Sequence, residues 1–291
     1  MKLLILILSF CAFGFTNLCA TSLDSRYNLI FNDIFVNPAF TGDSIGFRIK
    51  SNLGYGDKFG GHIHITLDKS IQNIKAGIGL YADLTGGYYN SAGILFSKSF
   101  QYQKLRIKLG TRLGLSGYKY PEIFMSSYEP ERYNRIHGSI GSVVSIKNHT
   151  FGLTYNTVLF SKIISEEIIR TFNDSFNNYY RSYDESEMNF IYKTTFQLFR
   201  KFYVNPELID CYDFLENENN LIVSLELRYR NLVSLGISTN SLKSHTLYSK
   251  FQIGRSISLG GYVTRLPLEK IGIPNDNIAE NYGFLFEVRL N

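Results

Sequence analysis

His62 and His64 stand two residues apart in GGHIHITLDKS. In a strand that spacing turns both imidazoles to one face, where they could supply two metal ligands. No cysteine or third histidine follows nearby to complete a site, and His137, His149 and His245 are scattered. His62 and His64 are therefore expected to be ordinary polar lining. No serine sits in a nucleophile elbow and no glycine run forms a phosphate loop. Glu166, Glu167, Asp184, Glu185 and Glu187 fall in a long polar stretch and read as solvated. The NHT at Asn148 matches a glycosylation acceptor by chance, in what reads as a tight turn. The expectation is a chain that is not an enzyme, with no catalytic residue, no metal and no cofactor. The other short stretch of interest is conformational. In NPAFTG, Pro38 fixes its own φ and biases Asn37 toward extended backbone, while Gly42 opens φ values closed to other residues. Asn37, Pro38, Ala39, Phe40 and Gly42 are the candidate functional residues. They stand just before the first alternating segment, so the rest of the chain decides what they serve.

The chain has 291 residues, 44% hydrophobic and 19% charged, with 21 Tyr, 23 Phe and 24 Gly. That mix suits strands and tight turns with aromatic faces. The start, MKLLILILSFCAFGFTNLCA, has a positive Lys2, an apolar run and a small-residue end. It reads as a signal peptide over residues 1–20, cleaved after Ala20. Leu18 before Cys19 disfavours lipidation. Beyond that point Cys211 is the lone cysteine, so no disulfide framework is expected. The net charge is +5, with basic residues spread singly along the chain, which argues against nucleic acid as a partner.

The dominant pattern has period two. In KLRIKLGTRLGLSG, Leu105, Ile107, Leu109, Leu113 and Leu115 share one face; Arg106, Lys108, Gly110, Arg112 and Gly114 share the other. Only a strand separates these sets cleanly. Similar segments occupy roughly 45–55, 59–68, 74–83, 88–100, 104–116, 137–147, 149–160, 189–200, 202–211, 220–230, 231–240, 245–254, 256–265 and 282–290. Each is about as long as a tilted strand crossing a bilayer. The connections sort by parity: every second one is a tight turn, and the long ones (117–136, 161–188, 266–281) all fall in the other set. A β-sandwich gives no reason for that. A transmembrane antiparallel up-and-down β-barrel of about fourteen strands does, because one rim carries tight turns and the other long loops. The fold class is therefore all-β, with the barrel over 45–291 and an N-terminal segment over 21–44 that holds the NPA motif and is available to tuck inside. The location expected is the cell outer membrane, with the lipid bilayer as a partner.

NPAFTG after FNDIFV resembles the N-terminus of the PorP/SprF family of type IX secretion system membrane proteins. FYVNPELI (202–209), LELRYRNLVSLGIS (225–238), SISLGGYVTR (256–265) and NYGFLFEVRLN (281–291) resemble later strands of that family, in order. Absence of Trp, and Gly260-Gly261-Tyr262-Val263 near the end, depart from its pattern. The resemblance implies an accessory of type IX secretion, working with periplasmic or outer-membrane components of that system or with a secreted surface protein in export or anchoring. An NPA near the N-terminus also occurs in the long-chain fatty-acid (FadL) transporters, in a segment that folds into the lumen. By that analogy Asn37–Gly42 is expected to tuck inside the barrel or its periplasmic mouth, with Phe35 and Phe40 as apolar anchors and Asn37 bonding exposed backbone. The alternative function is a diffusion channel or FadL-like hydrophobic-substrate transporter. A surface adhesin domain, with no membrane insertion, is a third reading.

Overall fold

The computed structural model describes residues 31, 33–44, 46–56, 60–85, 89–119, 132–162, 186–214, 218–240, 244–254, 256–267 and 278–290. The expected signal peptide lies outside the described residues. A single turn of helix, α1 (Asp33–Val36), and a 3-10 turn at Pro38–Phe40 precede the sheet. The strands are β1 (Phe47–Gly56), β2 (Gly60–Ile71), β3 (Ala76–Thr85), β4 (Tyr89–Tyr102), β5 (Leu105–Lys119), β6 (Arg132–Ile146) and β7 (His149–Lys162). They continue with β8 (Glu187–Thr194), β9 (Phe196–Phe199), β10 (Phe202–Asp213), β11 (Glu218–Tyr229), β12 (Val233–Asn240), β13 (His245–Ile253), β14 (Ile257–Pro267) and β15 (Ile278–Leu290).

Each strand pairs antiparallel with the next, save that β8 and β9 both pair with β10, and β1 pairs with β15. The sheet thus closes into a barrel of fourteen walls, with β8 and β9 forming one interrupted strand against β10. Closure leaves no sheet edge, as hydrocarbon requires. The sandwich and the free adhesin domain are thereby set aside.

The period-two pattern gives the barrel its two surfaces. Leu80, Ile94, Leu109, Leu113, Leu153, Leu225 and Phe284 are exposed on the outside. Their neighbours Lys108, Arg112, Asp83, Ser91 and Thr154 are buried in the lumen. The apolar set meets lipid, and no compact hydrophobic core is needed to hold it.

Two departures from the sequence expectation have physical causes. The segment expected as one strand over 189–200 breaks at Thr195. Pro206 of β10 has no N–H to donate there, so the ladder from β10 reaches β8 only from Glu207 on and β9 only up to Val204. The Thr195 amide donates instead to the Asn148 carbonyl at 3.3 Å. The segment expected from residue 74 starts at Ala76, because Gln72–Ile74 forms a 3-10 turn and Lys75 takes φ 50° to reverse the chain. Gln103, Lys147, Arg230 and Gly254 also have positive φ, one in each of four further turns on that rim. Such values match a tight hairpin to the right-handed twist of its strands.

Candidate functional site

Residues 33–43 cross the inside of the barrel near the rim of tight turns. α1 buries Ile34 and Val36. Asn37 then takes extended backbone (φ −144°, ψ 112°), as the following proline demands, and its side-chain oxygen accepts from the Ala39 amide at 2.9 Å. Pro38 opens the 3-10 turn, where its missing N–H costs nothing. The Asn37 amide nitrogen donates to the carbonyls of Ser142 (3.0 Å) and Leu153 (3.3 Å), which face one another on β6 and β7. Asn37 and Ala39 are 0% exposed, and Phe40 is buried. The Thr41 carbonyl accepts from Ser97 Oγ (2.7 Å) and Lys108 Nζ (2.8 Å). Gly42, at φ 67°, donates its amide to Asp68 Oδ2 at 2.6 Å. Asp68 is itself clamped by Arg48 at 2.7 Å. The segment is therefore held by backbone-directed hydrogen bonds at both of its ends.

The wall is shaped to receive it. Gly77, Ser97, Gly110, Gly141 and Thr154 are direct cross-strand partners in one row over β3 to β7. A Cβ on Gly77 would lie 2.3 Å from the Thr41 carbonyl oxygen, one on Gly110 2.3 Å from the Ala39 nitrogen, and one on Gly141 2.1 Å from Asn37 Oδ1. The small-residue row is a trough for the NPAFTG backbone. The period-two reading places Gly110 on the polar face, and that is the signal the sequence offers. The alignment of the row across strands depends on register, which the pattern within one strand does not state.

One rung above the trough, Arg112 donates to the Phe35 carbonyl (2.7 Å) and to Asn156 Oδ1 (3.1 Å), with its guanidinium 4.7 Å over the Phe35 ring. Phe35 also meets His64 and Tyr81 edge-on, at 4.9 and 5.7 Å. Further round the wall, on β13 and β14, Phe31 stacks on Tyr262 at 4.9 Å and sets its ring against Tyr248 at 5.2 Å. The lumen is thus aromatic around Phe31 and Phe35, aliphatic where Ile191, Ile209 and Ile222 join Ile34 and Val36 in one buried cluster, and richer in polar side chains elsewhere. Asp33 lies 3.1 Å from Lys193 and 3.9 Å from Lys50. Burial alone would raise the Asp33 carboxyl; Lys193, Lys50 and Arg48 together hold it well below the usual carboxylate range.

The histidines are divided among different partners. His62 Nε2 lies 2.9 Å from the Tyr262 hydroxyl, His64 Nδ1 3.8 Å from Asp83, and His137 Nε2 2.6 Å from the Tyr81 hydroxyl. Among the described residues no group of three His, Cys, Asp or Glu is placed to hold a metal. Glu166, Glu167, Asp184 and Glu185 lie outside the described residues.

No family model matches the chain, and no curated protein matches it. Solved structures share its fold. The outer membrane protein Omp33 of Acinetobacter baumannii aligns over 84% of this chain and 98% of its own, at 10% identity and TM-score 0.53. The deltaS2S3 mutant of TodX, a monoaromatic hydrocarbon channel, aligns over 89% of this chain and 94% of its own, at 9% identity and TM-score 0.51. This chain is an outer-membrane β-barrel. At such identities the likeness is one of fold. Its closed wall, lipid-facing apolar surface and rim of tight turns are those of an outer-membrane protein.

Proposed function

We propose that the protein is a plugged outer-membrane channel for small hydrophobic solutes, closed by its own N-terminal segment. The observation that carries this reading is the seat of residues 37–42 in the glycine trough, with Phe35 packed against β2, β3 and β5 and Phe31 against β13 and β14. A segment placed there obstructs the lumen at the tight-turn end. The aromatic surroundings (Tyr81, Tyr248, Tyr262) suit an apolar or aromatic solute better than a hydrated ion. The fold shared with the TodX mutant, a hydrocarbon channel, supports the same class. The wall does no chemistry on a solute; its work is to exclude or admit.

The test is transport. Liposomes holding the purified protein should take up a monoaromatic probe slowly, and a variant lacking residues 37–42 should take it up faster and conduct ions in planar bilayers. A deletion variant that folds and stays closed would remove the plug from the account.

A second reading, the type IX secretion accessory, is favoured by the ordered resemblance of NPAFTG and the later strands to the PorP/SprF proteins. There the filled lumen would be a permanent feature and the protein a docking piece for secretion components or a surface client. Loss of surface-protein export on deleting the gene, with unchanged uptake of hydrophobic solutes, would favour it over the channel.

A further inference from the structure

Six tight turns join β2–β3, β4–β5, β6–β7, β9–β10, β11–β12 and β13–β14. Their sequences are QNIK, QK, KN, RK, RNL and GRS. Every one holds a cation (Lys75, Lys104, Lys147, Arg200 with Lys201, Arg230 and, by sequence position, Arg255), and none holds an acid. In sequence, the connections that alternate with these turns are weighted the opposite way, with Glu122, Glu129, Glu131, Glu166, Glu167 and Asp174 among them. Lys75, Lys104, Lys147, Lys201 and Arg230 are all exposed, and none of them has a carboxylate partner among the described residues. A ring of cations with no acid among them raises the positive potential of that rim and draws anions to it.

Each cation also has an apolar companion within two residues. Ile74 precedes Lys75, Tyr102 stands near Lys104, Ile146 precedes Lys147, Phe202 follows Lys201, Tyr229 precedes Arg230 and Ile253 stands near Arg255. All six companions are solvent-exposed, Tyr102 at 69%, and the Arg230 guanidinium lies 5.6 Å over the Tyr229 ring. An apolar side chain beside a long cation, repeated around a barrel rim, fits the boundary between acyl chains and headgroups.

We propose that this rim is a collar for anionic phospholipid headgroups of the leaflet that faces the periplasm. The cations occur on all six turns, around the whole circumference. A lipid annulus reaches every one of them from the side, whereas an acidic protein would have to cap the entire mouth. The apolar companions point to the same occupant, since they need hydrocarbon as well as charge. The inference rests on the barrel and its rims and is independent of what the lumen passes.

The experiment uses the full mature chain folded in vesicles of equal phosphatidylcholine and phosphatidylglycerol, extracted mildly and weighed with its retained lipids by native mass spectrometry. Phosphatidylglycerol should be enriched over phosphatidylcholine, by about fivefold for each engaged turn cation before salt screening. The enrichment should fall as sodium chloride rises, which needs no variant. Inorganic phosphate should reduce it no more than chloride at equal ionic strength. Replacing all seven turn cations, Arg200 included, by serine should return the retained lipid to the bulk ratio. Two half-collar variants, Lys75→Ser/Lys104→Ser/Lys147→Ser and Lys201→Ser/Arg230→Ser/Arg255→Ser, should each lose part of it. Heat-modifiable migration checks folding in every case. Equal retention of the two lipids by the folded wild type would overturn the proposal, as would an enrichment that folded collar variants keep. Binding of soluble polyglutamate without phosphatidylglycerol enrichment would overturn it in favour of an acidic protein partner.

Discussion

Gly141 and Asn37 are complementary to within the width of a methyl group: a Cβ on Gly141 would lie 2.1 Å from the Asn37 side-chain oxygen. The same asparagine reaches the carbonyls of Ser142 and Leu153 beside that glycine. The wall is bare where the segment is polar, and the segment is polar where the wall offers carbonyls. Gly141→Ala, alone or with Gly110→Ala, should therefore dislodge residues 37–42 and spare the barrel. Overpacking at such a contact costs about 1–3 kcal/mol. Planar-bilayer recordings should show openings absent from the wild type, with heat-modifiable migration unchanged. A folded double variant that stays closed would show that the trough does not retain the segment.

Asn37→Asp tests the donor half of the same contact. A carboxylate can still accept from Ala39 but cannot donate to Ser142 and Leu153, and would face their carbonyls. The expected loss is about 1–3 kcal/mol of segment docking, the usual cost of an unmet buried polar group. Hydrogen exchange should quicken at Phe40 and Thr41, whose amides donate within the turn, and remain slow in β6.

Leu113 and Arg112 are neighbours in β5 with opposite surroundings. Leu113 is 48% exposed on the outside, whereas Arg112 is buried in the lumen and holds Phe35. Leu113→Arg places a charge in hydrocarbon near mid-strand and should cost about 2–4 kcal/mol of insertion. Arg112→Leu should insert normally and loosen the segment, read as faster solute uptake. Urea titration of the vesicle-embedded barrels measures the first effect. Equal stabilities for the two would contradict the facing.

Asp33 makes segment docking sensitive to acid. Its carboxyl is held below the ordinary carboxylate range by Lys193, Lys50 and Arg48, so docking favours the ionised form. Its contribution is complete above the free-chain pKa of about 4 and declines progressively below it, until the folded carboxyl itself is protonated. Conductance of the wild type should thus be flat from neutral pH to about 5 and rise in stronger acid. Asp33→Asn should be more open at neutral pH and should lack that acid-dependent rise.

Much of this molecule is written in its sequence. Alternation in KLRIKLGTRLGLSG separates a lipid face from a lumen face because strand side chains have a period of two. The alternation of tight turns with long connections marks one rim from the other, which is enough to read a closed barrel. NPAFTG also carries its local shape, since Pro38 and Gly42 restrict or release φ without help from other residues. Tertiary structure decided the rest, because it depends on register and closure. Gly77, Gly110 and Gly141 are far apart in the chain and form a trough only once neighbouring strands align them. Pro206 breaks β8 from β9 through a missing hydrogen bond to another strand. The basic residues look scattered because the turns recur at wide intervals, and closing the barrel gathers them on one rim. A one-dimensional pattern fixes which way a side chain points; pairing between strands fixes what it meets.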